Sequence, residues 1–316
     1  MTPRFACVAG AGSALGSRVV RNDELARDLD TSDEWIRSRT GIAERRFAAE
    51  GETASSLAAL AGLRALAAAG IDPSVVNLTI VATVSGDQPL PSTASFVQAR
   101  IGTTGGAFDL AAACAGFIYA VEVGAAQIAA GSADTVLIVG TEVLSRFLDF
   151  SDRTTCVLFG DGAGAVVLTA GHEPGIVGSV LENDGTQAGL LRIPAGGSRE
   201  PASLDTVRRS DHAIRMTSGS EVFRRAVEAM STAAASLLDK SGLKSDDVTL
   251  LVPHQANARI IHAVAQRLSF PEERVFVDLE HVGNTSAASV PIALDRAWRA
   301  RRLSPGDMVL TVAFGA

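Results

Sequence analysis

Phe108-Asp109-Leu110-Ala111-Ala112-Ala113-Cys114-Ala115-Gly116-Phe117 and Val277-Asp278-Leu279-Glu280-His281-Val282-Gly283-Asn284-Thr285-Ser286 are the two stretches that decide the fold. In each, an apolar-Asp-Leu run gives way to small residues, and an apolar helical pattern follows. Cys114 and Asn284 stand at matching places, 170 residues apart (284 − 114). Two more matches flank them in the same order. Gly70-Ile71 leads to Leu78-Thr79-Ile80-Val81, as Gly242-Leu243 leads to Leu250-Leu251-Val252, at an offset of 172 (242 − 70). Asp134-Thr135-Val136-Leu137-Ile138-Val139 matches Asp307-Met308-Val309-Leu310-Thr311-Val312 at an offset of 173 (307 − 134). Any α/β chain alternates helices with apolar strands, but that alternation requires no shared offset. The pattern reads as an internal duplication.

Gly70 and Gly242 each close an Ala/Leu-rich helical stretch, where a C-terminal glycine belongs. The runs Val136 to Val139, Val166 to Thr169 and Val309 to Val312 are short, β-branched and non-alternating. Such strands are buried on both faces, so helices must cover both sides of each sheet. The repeat divides the chain into residues 1–172, carrying Cys114, and 173–316, carrying His254 and Asn284. In the first half Val139 is followed by Phe159-Gly160-Asp161-Gly162-Ala163-Gly164 and the strand Ala165-Val166-Val167-Leu168. The second half runs to Phe314-Gly315-Ala316. The counterpart of that last strand is expected roughly a dozen residues further on.

With 316 residues, 47% of them hydrophobic and 20% charged, the chain can bury a substantial core. A net charge of −7 speaks against a nucleic-acid partner. Cys7, Cys114 and Cys156 form no C-x-x-C pair, which argues against a disulfide framework and against a zinc or iron–sulfur site. Met1 to Arg18 has no basic region followed by a long apolar core and reads as a first strand, not a signal peptide. Apolar runs such as Leu57 to Gly70 are too interrupted to span a bilayer. The expectation is a cytoplasmic protein with no membrane partner.

Three residues carry candidate chemistry. Cys114 stands where a strand ends and a helix begins, and a helix N-terminus favours a thiolate; the bland alternative is a buried structural cysteine. His254 follows Leu250-Leu251-Val252-Pro253, at the carboxyl end of a buried strand where α/β folds place ligands. Asn284 is a natural turn residue, raised here by its symmetry with Cys114. His172 and His212 sit in polar loops, His262 lies on a helix, and His281 is a weaker candidate beside Gly283-Asn284. A Cys-His-Asn set also serves papain-like proteases, but the repeat argues for a different arrangement.

The residues that carry a family resemblance are Asp30-Thr31-Ser32-Asp33-Glu34-Trp35-Ile36, Arg39-Thr40-Gly41-Ile42 and the Cys114 segment. Phe159-Gly160-Asp161-Gly162-Ala163-Gly164, Pro253-His254-Gln255-Ala256-Asn257 and Gly283-Asn284-Thr285-Ser286-Ala287-Ala288-Ser289 continue it. In this order they resemble β-ketoacyl-(acyl carrier protein) synthase III, the initiating condensing enzyme of bacterial fatty acid synthesis. The resemblance implies a thiolase-like fold, a duplicated five-layer α-β-α-β-α architecture, and a homodimer. It implies that Cys114 takes the acyl group from acyl-CoA, while His254 and Asn284 hold the carbonyl of malonyl-acyl carrier protein as CO2 departs and the enolate attacks. No cofactor or metal is implied beyond these substrates. An oxyanion hole for the acyl steps falls on the backbone N–H groups of Cys114 and Ala316.

Other positions carry over by match. Trp35 and Arg153 look like the pair that sandwiches the adenine of CoA, with Arg39 and Thr31 as further contacts. Thr31-x-x-Glu34 also reads as a capping box. Leu90 matches the position at which a dimer partner caps the acyl pocket, and its size suggests room for longer or branched chains. Arg224, Arg225, Arg259 and Arg267 are candidates for docking an acidic carrier protein; ordinary solvated helix faces are the alternative. Met216-Thr217-Ser218-Gly219-Ser220-Glu221 departs from the family pattern, which puts a pantetheine contact there in doubt. Two rival functions stay open: a starter-unit ketosynthase or acyltransferase of specialised metabolism, and an NAD(P)-binding oxidoreductase. The latter rests on Gly10, Gly12 and Gly16 after a first strand, without the second strand and acidic residue that such a unit needs.

Overall fold

The computed structural model describes residues 4–316. In chain order the first half contains β1 (Phe5–Leu15), β2 (Arg18–Arg21), α1 (Asn22–Leu25), α2 (Asp33–Thr40), β3 (Glu44–Phe47), α3 (Ala54–Ala69), β4 (Leu78–Ala82), α4 (Thr93–Ile101), β5 (Gly106–Leu110), α5 (Gly116–Ala129), β6 (Thr135–Val143) and β7 (Asp161–Gly171). The second half contains β8 (Leu191–Arg192), α6 (Leu204–Arg208), β9 (Arg215–Met216), α7 (Gly219–Ser241), β10 (Leu250–Pro253), α8 (Ala258–Arg267), α9 (Ser289–Arg299) and β11 (Val309–Val312). Local chemistry sets the ends. Thr53 and Ser56 make a reciprocal capping box at α3, and Gly70 ends that helix in the left-handed conformation. Gly242 ends α7 in the same way.

The first half forms a five-stranded sheet in the order β1-β7-β6-β4-β5. β4 pairs in parallel with both β5 and β6, while β7 runs antiparallel to β6 and β1. All nine residues of β6 are buried, as expected for a strand covered on both faces. The second half repeats the parallel part. β10 pairs with β11, and Val275 bridges Leu251 on the other edge of β10. Among the described residues nothing pairs with the free edge of β11, whereas its counterpart β6 meets β7 there.

Side-chain clusters show the layers. Residues of α3 and α4 pack on one face of the first sheet. α5 packs on the other face together with Ala287, Val290 and Leu294. Ala293 and Ala297 of α9 meet Leu250 and Val252 of the second sheet, whose far face is covered by α7 and α8. Three helical layers thus enclose two sheets.

The glycines of β1 have a packing purpose. A Cβ at Gly10 would lie 2.5 Å from the Ala65 carbonyl oxygen, and one at Gly12 would lie 2.4 Å from the Ala65 nitrogen. They let α3 sit directly on the strand; Gly10 and Gly12 lie within β1, Gly16 follows its end, and the next element is β2 and not a helix, so the run offers no phosphate loop. The capping-box reading of Thr31 and Glu34 is also corrected. Ser32 caps α2, its hydroxyl accepting from the Trp35 N–H. Asp33 is the first helical residue, so the chain needs its cap one position later.

Candidate active site

Cys114 lies in the 3-10 turn Ala113–Ala115, which runs directly into α5. Ala113 takes a φ of 43°, a conformation rare for an L side chain and one that clusters at functional sites. The turn aims the sulfur into a cavity of about 1390 Å³. His254, Asn284 and Ala316 line the same cavity, which continues between residues 174–185 and β11. Burial pushes the Cys114 thiol up to about 11, with the nearby Glu142 carboxylate adding to the rise and the Ser286 hydroxyl opposing it. Burial thus acts against the thiolate that the helix N-terminus favours.

His254 follows β10, with its N–H donating to the Val312 carbonyl at 2.8 Å. The imidazole is 2% exposed. Its Nδ1 lies 2.5 Å from the Ser289 hydroxyl at the start of α9. That hydroxyl also accepts from the Gln255 N–H at 3.3 Å. In the tautomer in which Ser289 donates to Nδ1, the ring proton sits on Nε2, which has no partner. Burial lowers the imidazole to about 4, so at neutral pH it is an uncharged donor facing the cavity.

Asn284 is held on the strand side of its turn. Its N–H donates to the Leu158 carbonyl at 2.8 Å, and its own carbonyl accepts from Gly160 N–H at 2.9 Å. The side-chain Oδ1 accepts from the Ser286 N–H at 2.8 Å, which leaves the NH2 as a donor toward the cavity. The symmetry with Cys114 is shifted by three residues. The positive-φ residues Ala113 and Ser286 are 173 apart, as are the starts of α5 and α9. Ala287, not Asn284, is the structural counterpart of Cys114. The amide comes from just before the turn and the sulfur from within it, which lets two opposed half-sites supply different groups to one space.

Ser286, Ser289 and Glu142 carry no signal of chemistry in the sequence. Ser286 and Ser289 sit inside a quoted motif, but only the fold shows what they touch. Glu142 is the single charged residue of β6 and is fully buried. Its Oε1 accepts from the Ser286 hydroxyl at 3.1 Å. Oε2 accepts from the Val84 N–H at 3.2 Å, the Thr83 hydroxyl at 3.3 Å and the Ser85 hydroxyl. Burial raises this carboxyl to about 7 against those hydrogen bonds.

The outer residues fall in separate places. Arg153 stands 5.2 Å over the Trp35 ring and Arg39 5.9 Å from it, so the three form one patch beside Thr31. The Thr31 hydroxyl is buried without a partner. Leu90 is 83% exposed and does not line the cavity. Arg224 and Arg225 both pair with Glu221, and Arg224 also with Glu228; their charge is locally offset. Arg259 stacks 5.4 Å over Phe223. Arg259 and Arg267 are exposed and make no ion pair among the described residues. Ser218, within the departing Met216 to Glu221 stretch, caps α7. His281 is exposed on a 3-10 turn beside Glu44, outside the cavity lining.

A duplicated five-layer fold with a buried cysteine at a helix start, facing a neutral imidazole and a free amide, defines the thiolase-like class of enzymes. Within that class, the chain matches the family models for 3-oxoacyl-[acyl-carrier-protein] synthase III over residues 108–185 and for the C-terminal part of the same enzyme over 238–316. It is 47% identical over 313 residues to β-ketoacyl-[acyl-carrier-protein] synthase III of Roseiflexus castenholzii, covering 98% of this chain and 94% of the relative. It is 49% identical over 313 residues to the enzyme of that name from Methylococcus capsulatus, covering 99% and 96%. Among solved structures, 3-oxoacyl-[acyl-carrier-protein] synthase III of Aquifex aeolicus superposes with a TM-score of 0.90 at 41% identity, covering 98% and 96%. The priming β-ketosynthase of the R1128 polyketide pathway gives 0.92 at 39%, covering 99% and 93%. The chain belongs to the β-ketoacyl-[acyl-carrier-protein] synthase III family.

Proposed function

We propose that the chain moves an acyl group from acyl-CoA to Cys114 and condenses it with malonyl-acyl carrier protein, giving 3-oxoacyl-carrier protein and CO2, the initiating step of fatty acid synthesis. One observation carries this reading: a sulfur from the first half and two unpartnered donors from the second, His254 Nε2 and the Asn284 amide, open on one cavity. Loss of CO2 from a malonyl thioester leaves a carbanion whose charge must move onto the thioester oxygen. Two preorganised neutral donors stabilise that oxygen by roughly 3 to 4 kcal/mol each. The enolate carbon then attacks the acyl carbonyl and the Cys114 thiolate departs. Neutrality matters, because donors that titrated would lose their proton as pH changed. No cofactor or metal is needed, since the chain supplies all three groups.

The acyl-transfer steps need their own oxyanion donors, assigned here to the N–H groups of Cys114 and Ala316. A Cβ at Gly315 would lie 2.8 Å from the Cys114 nitrogen, so that loop is pressed against the nucleophile. Trp35, Arg39, Arg153 and Thr31 are assigned to CoA; a flat cationic–aromatic patch suits adenine. The Arg153 guanidinium now covers the ring, and CoA would displace it. Arg259 and Arg267, free of ion pairs, and then Arg224 and Arg225, are assigned to the acidic carrier. Leu90 is assigned to the acyl pocket of a second subunit in a homodimer, where its exposed side chain finds cover. A cytoplasmic location accords with these substrates, and no described helix is long and apolar enough to cross a membrane.

A second reading, a starter-unit ketosynthase or acyltransferase of polyketide metabolism, is favoured by the likeness to the R1128 priming enzyme. Intact-mass measurement after a panel of acyl-CoAs, followed by malonyl-carrier protein, separates the readings. One acyl group on Cys114 that is discharged as 3-oxoacyl-carrier protein supports the synthase. Acyl transfer without carbon–carbon bond formation supports the acyltransferase, and no adduct on any residue rejects both.

A further inference from the structure

A carboxamide has two chemically different ends, and Asn284 serves as a donor only while its NH2, not its Oδ1, faces the cavity. The Ser286 N–H sets that sense by donating to Oδ1 at 2.8 Å. It can do so only while Ser286 keeps a φ of 50°, a conformation unfavourable for an L side chain. The Ser286 hydroxyl anchors this turn to the other half of the chain, donating to Glu142 Oε1 at 3.1 Å. Glu142 is held in turn. Its Oε2 accepts from the Val84 N–H at 3.2 Å, the Thr83 hydroxyl at 3.3 Å and the Ser85 hydroxyl, and Ser85 accepts from the Val143 N–H at 2.8 Å.

The duplication supplies an internal control. At the offset of 173 that relates the two turns, Ser286 matches Ala113 and Glu142 matches Gly315 (286 − 113 and 315 − 142). Both turns take a positive φ, 43° at Ala113 and 50° at Ser286. Gly315 meets the Cys114 turn as Glu142 meets the Ser286 turn: a Cβ there would lie 2.8 Å from the Cys114 nitrogen. Yet only the turn beside the amide carries a hydroxyl and a carboxylate to receive it. A tether that merely closed the halves, or merely held a strained turn, would be needed on both sides. The side that has it is the side with a group whose orientation matters.

We infer that Glu142, acting through Ser286, fixes the Asn284 carboxamide with its NH2 toward the malonyl thioester oxygen. This rests on the reading of Asn284 as a donor in condensation. Glu142 and Ser286 are positioning residues, and neither passes a proton. A donor preorganised by such support stabilises the developing enolate; a carboxamide free to turn spends part of its time presenting an acceptor to it. The support therefore acts on decarboxylation and leaves acylation of Cys114 aside.

Two rates test this in the whole chain: CO2 release from malonyl-acyl carrier protein, and Cys114 acylation by acetyl-CoA followed by intact mass. Ser286→Ala keeps the backbone N–H and removes only the anchor. It should lower CO2 release about 10- to 100-fold while acylation stays within about twofold of native. Glu142→Ala should give the same pattern, and the two together should lose no more than the worse one alone, as expected of residues acting in one chain. In an Asn284→Ala background Ser286→Ala should have no further effect, since no carboxamide is left to orient. A loosened fold would instead multiply its loss in every background. Native CO2 release in Ser286→Ala, equal loss of both rates, or a further loss on top of Asn284→Ala overturns the inference and leaves Asn284 as donor. CO2 release that Asn284→Ala does not slow overturns both. Should Glu142→Ala fail to fold, Ser286→Ala alone and in Asn284→Ala decides on the same criteria.

Discussion

At the residue scale the site is a division of labour set by burial. Desolvation raises the Cys114 thiol and lowers the His254 imidazole, and a neutral ring is an asset for condensation. Cys114→Ser should carry no thioester after exposure to acyl-CoA, checked by peptide mass mapping. Ser289→Ala should free Nδ1 and let the proton leave Nε2. It should lower condensation by about 10-fold or more while acylation stays within about twofold, as loss of a tautomer-fixing partner does. Glu142 also predicts a stability effect. Its folded value of about 7 lies above the unfolded value of 4.5, so the folded state holds a proton that the unfolded state has lost. The associated stability is complete below pH 4.5 and fades as pH rises through 7. Glu142→Gln should therefore show a flatter stability profile, with the native protein losing about 3 kcal/mol more between pH 5 and 8, measured by denaturant melts.

At the element scale the duplicated turns do the positioning. β6 passes directly beneath the turn that carries Asn284 and Ser286: a Cβ at Gly140 would lie 2.3 Å from the Ala287 carbonyl oxygen. Gly140→Ala should push that turn away from Cys114, costing about 1–3 kcal/mol of stability by overpacking. Condensation should fall more than acylation, seen by comparing both rates with the melting temperature. Much of this scaffold is legible in the sequence, because buried strands announce themselves as unbroken β-branched runs and helix ends as Gly70 and Gly242. The register of the second turn is not. The apolar-Asp-Leu runs, offset by 169 (278 − 109), place the counterpart of Cys114 only to within a residue of Asn284, whereas the backbone aligns Ala287, because a three-residue shift changes nothing in composition. Glu142 was equally hidden, since a lone carboxylate in an apolar strand shows its partners only after Ser85 and Ser286 have been brought to it from 57 and 144 residues away.

At the scale of the whole molecule, the fold exists to let two half-chains meet. The first half contributes a sulfur at the start of α5. The second contributes an imidazole at the end of β10 and an amide before α9. Leu90 is proposed to cap the acyl pocket of a second subunit, so Leu90→Phe should shift preference toward shorter acyl-CoAs in competition assays. The central claim is that the two halves perform different steps on one thioester. Release of labelled CO2 from malonyl-carrier protein, measured beside Cys114 acylation in His254→Ala and Asn284→Ala, tests it most directly. Each variant should acylate at close to the native rate yet release CO2 about 10²–10³-fold more slowly. Equal loss of both steps, or CO2 release at the native rate, would contradict the account.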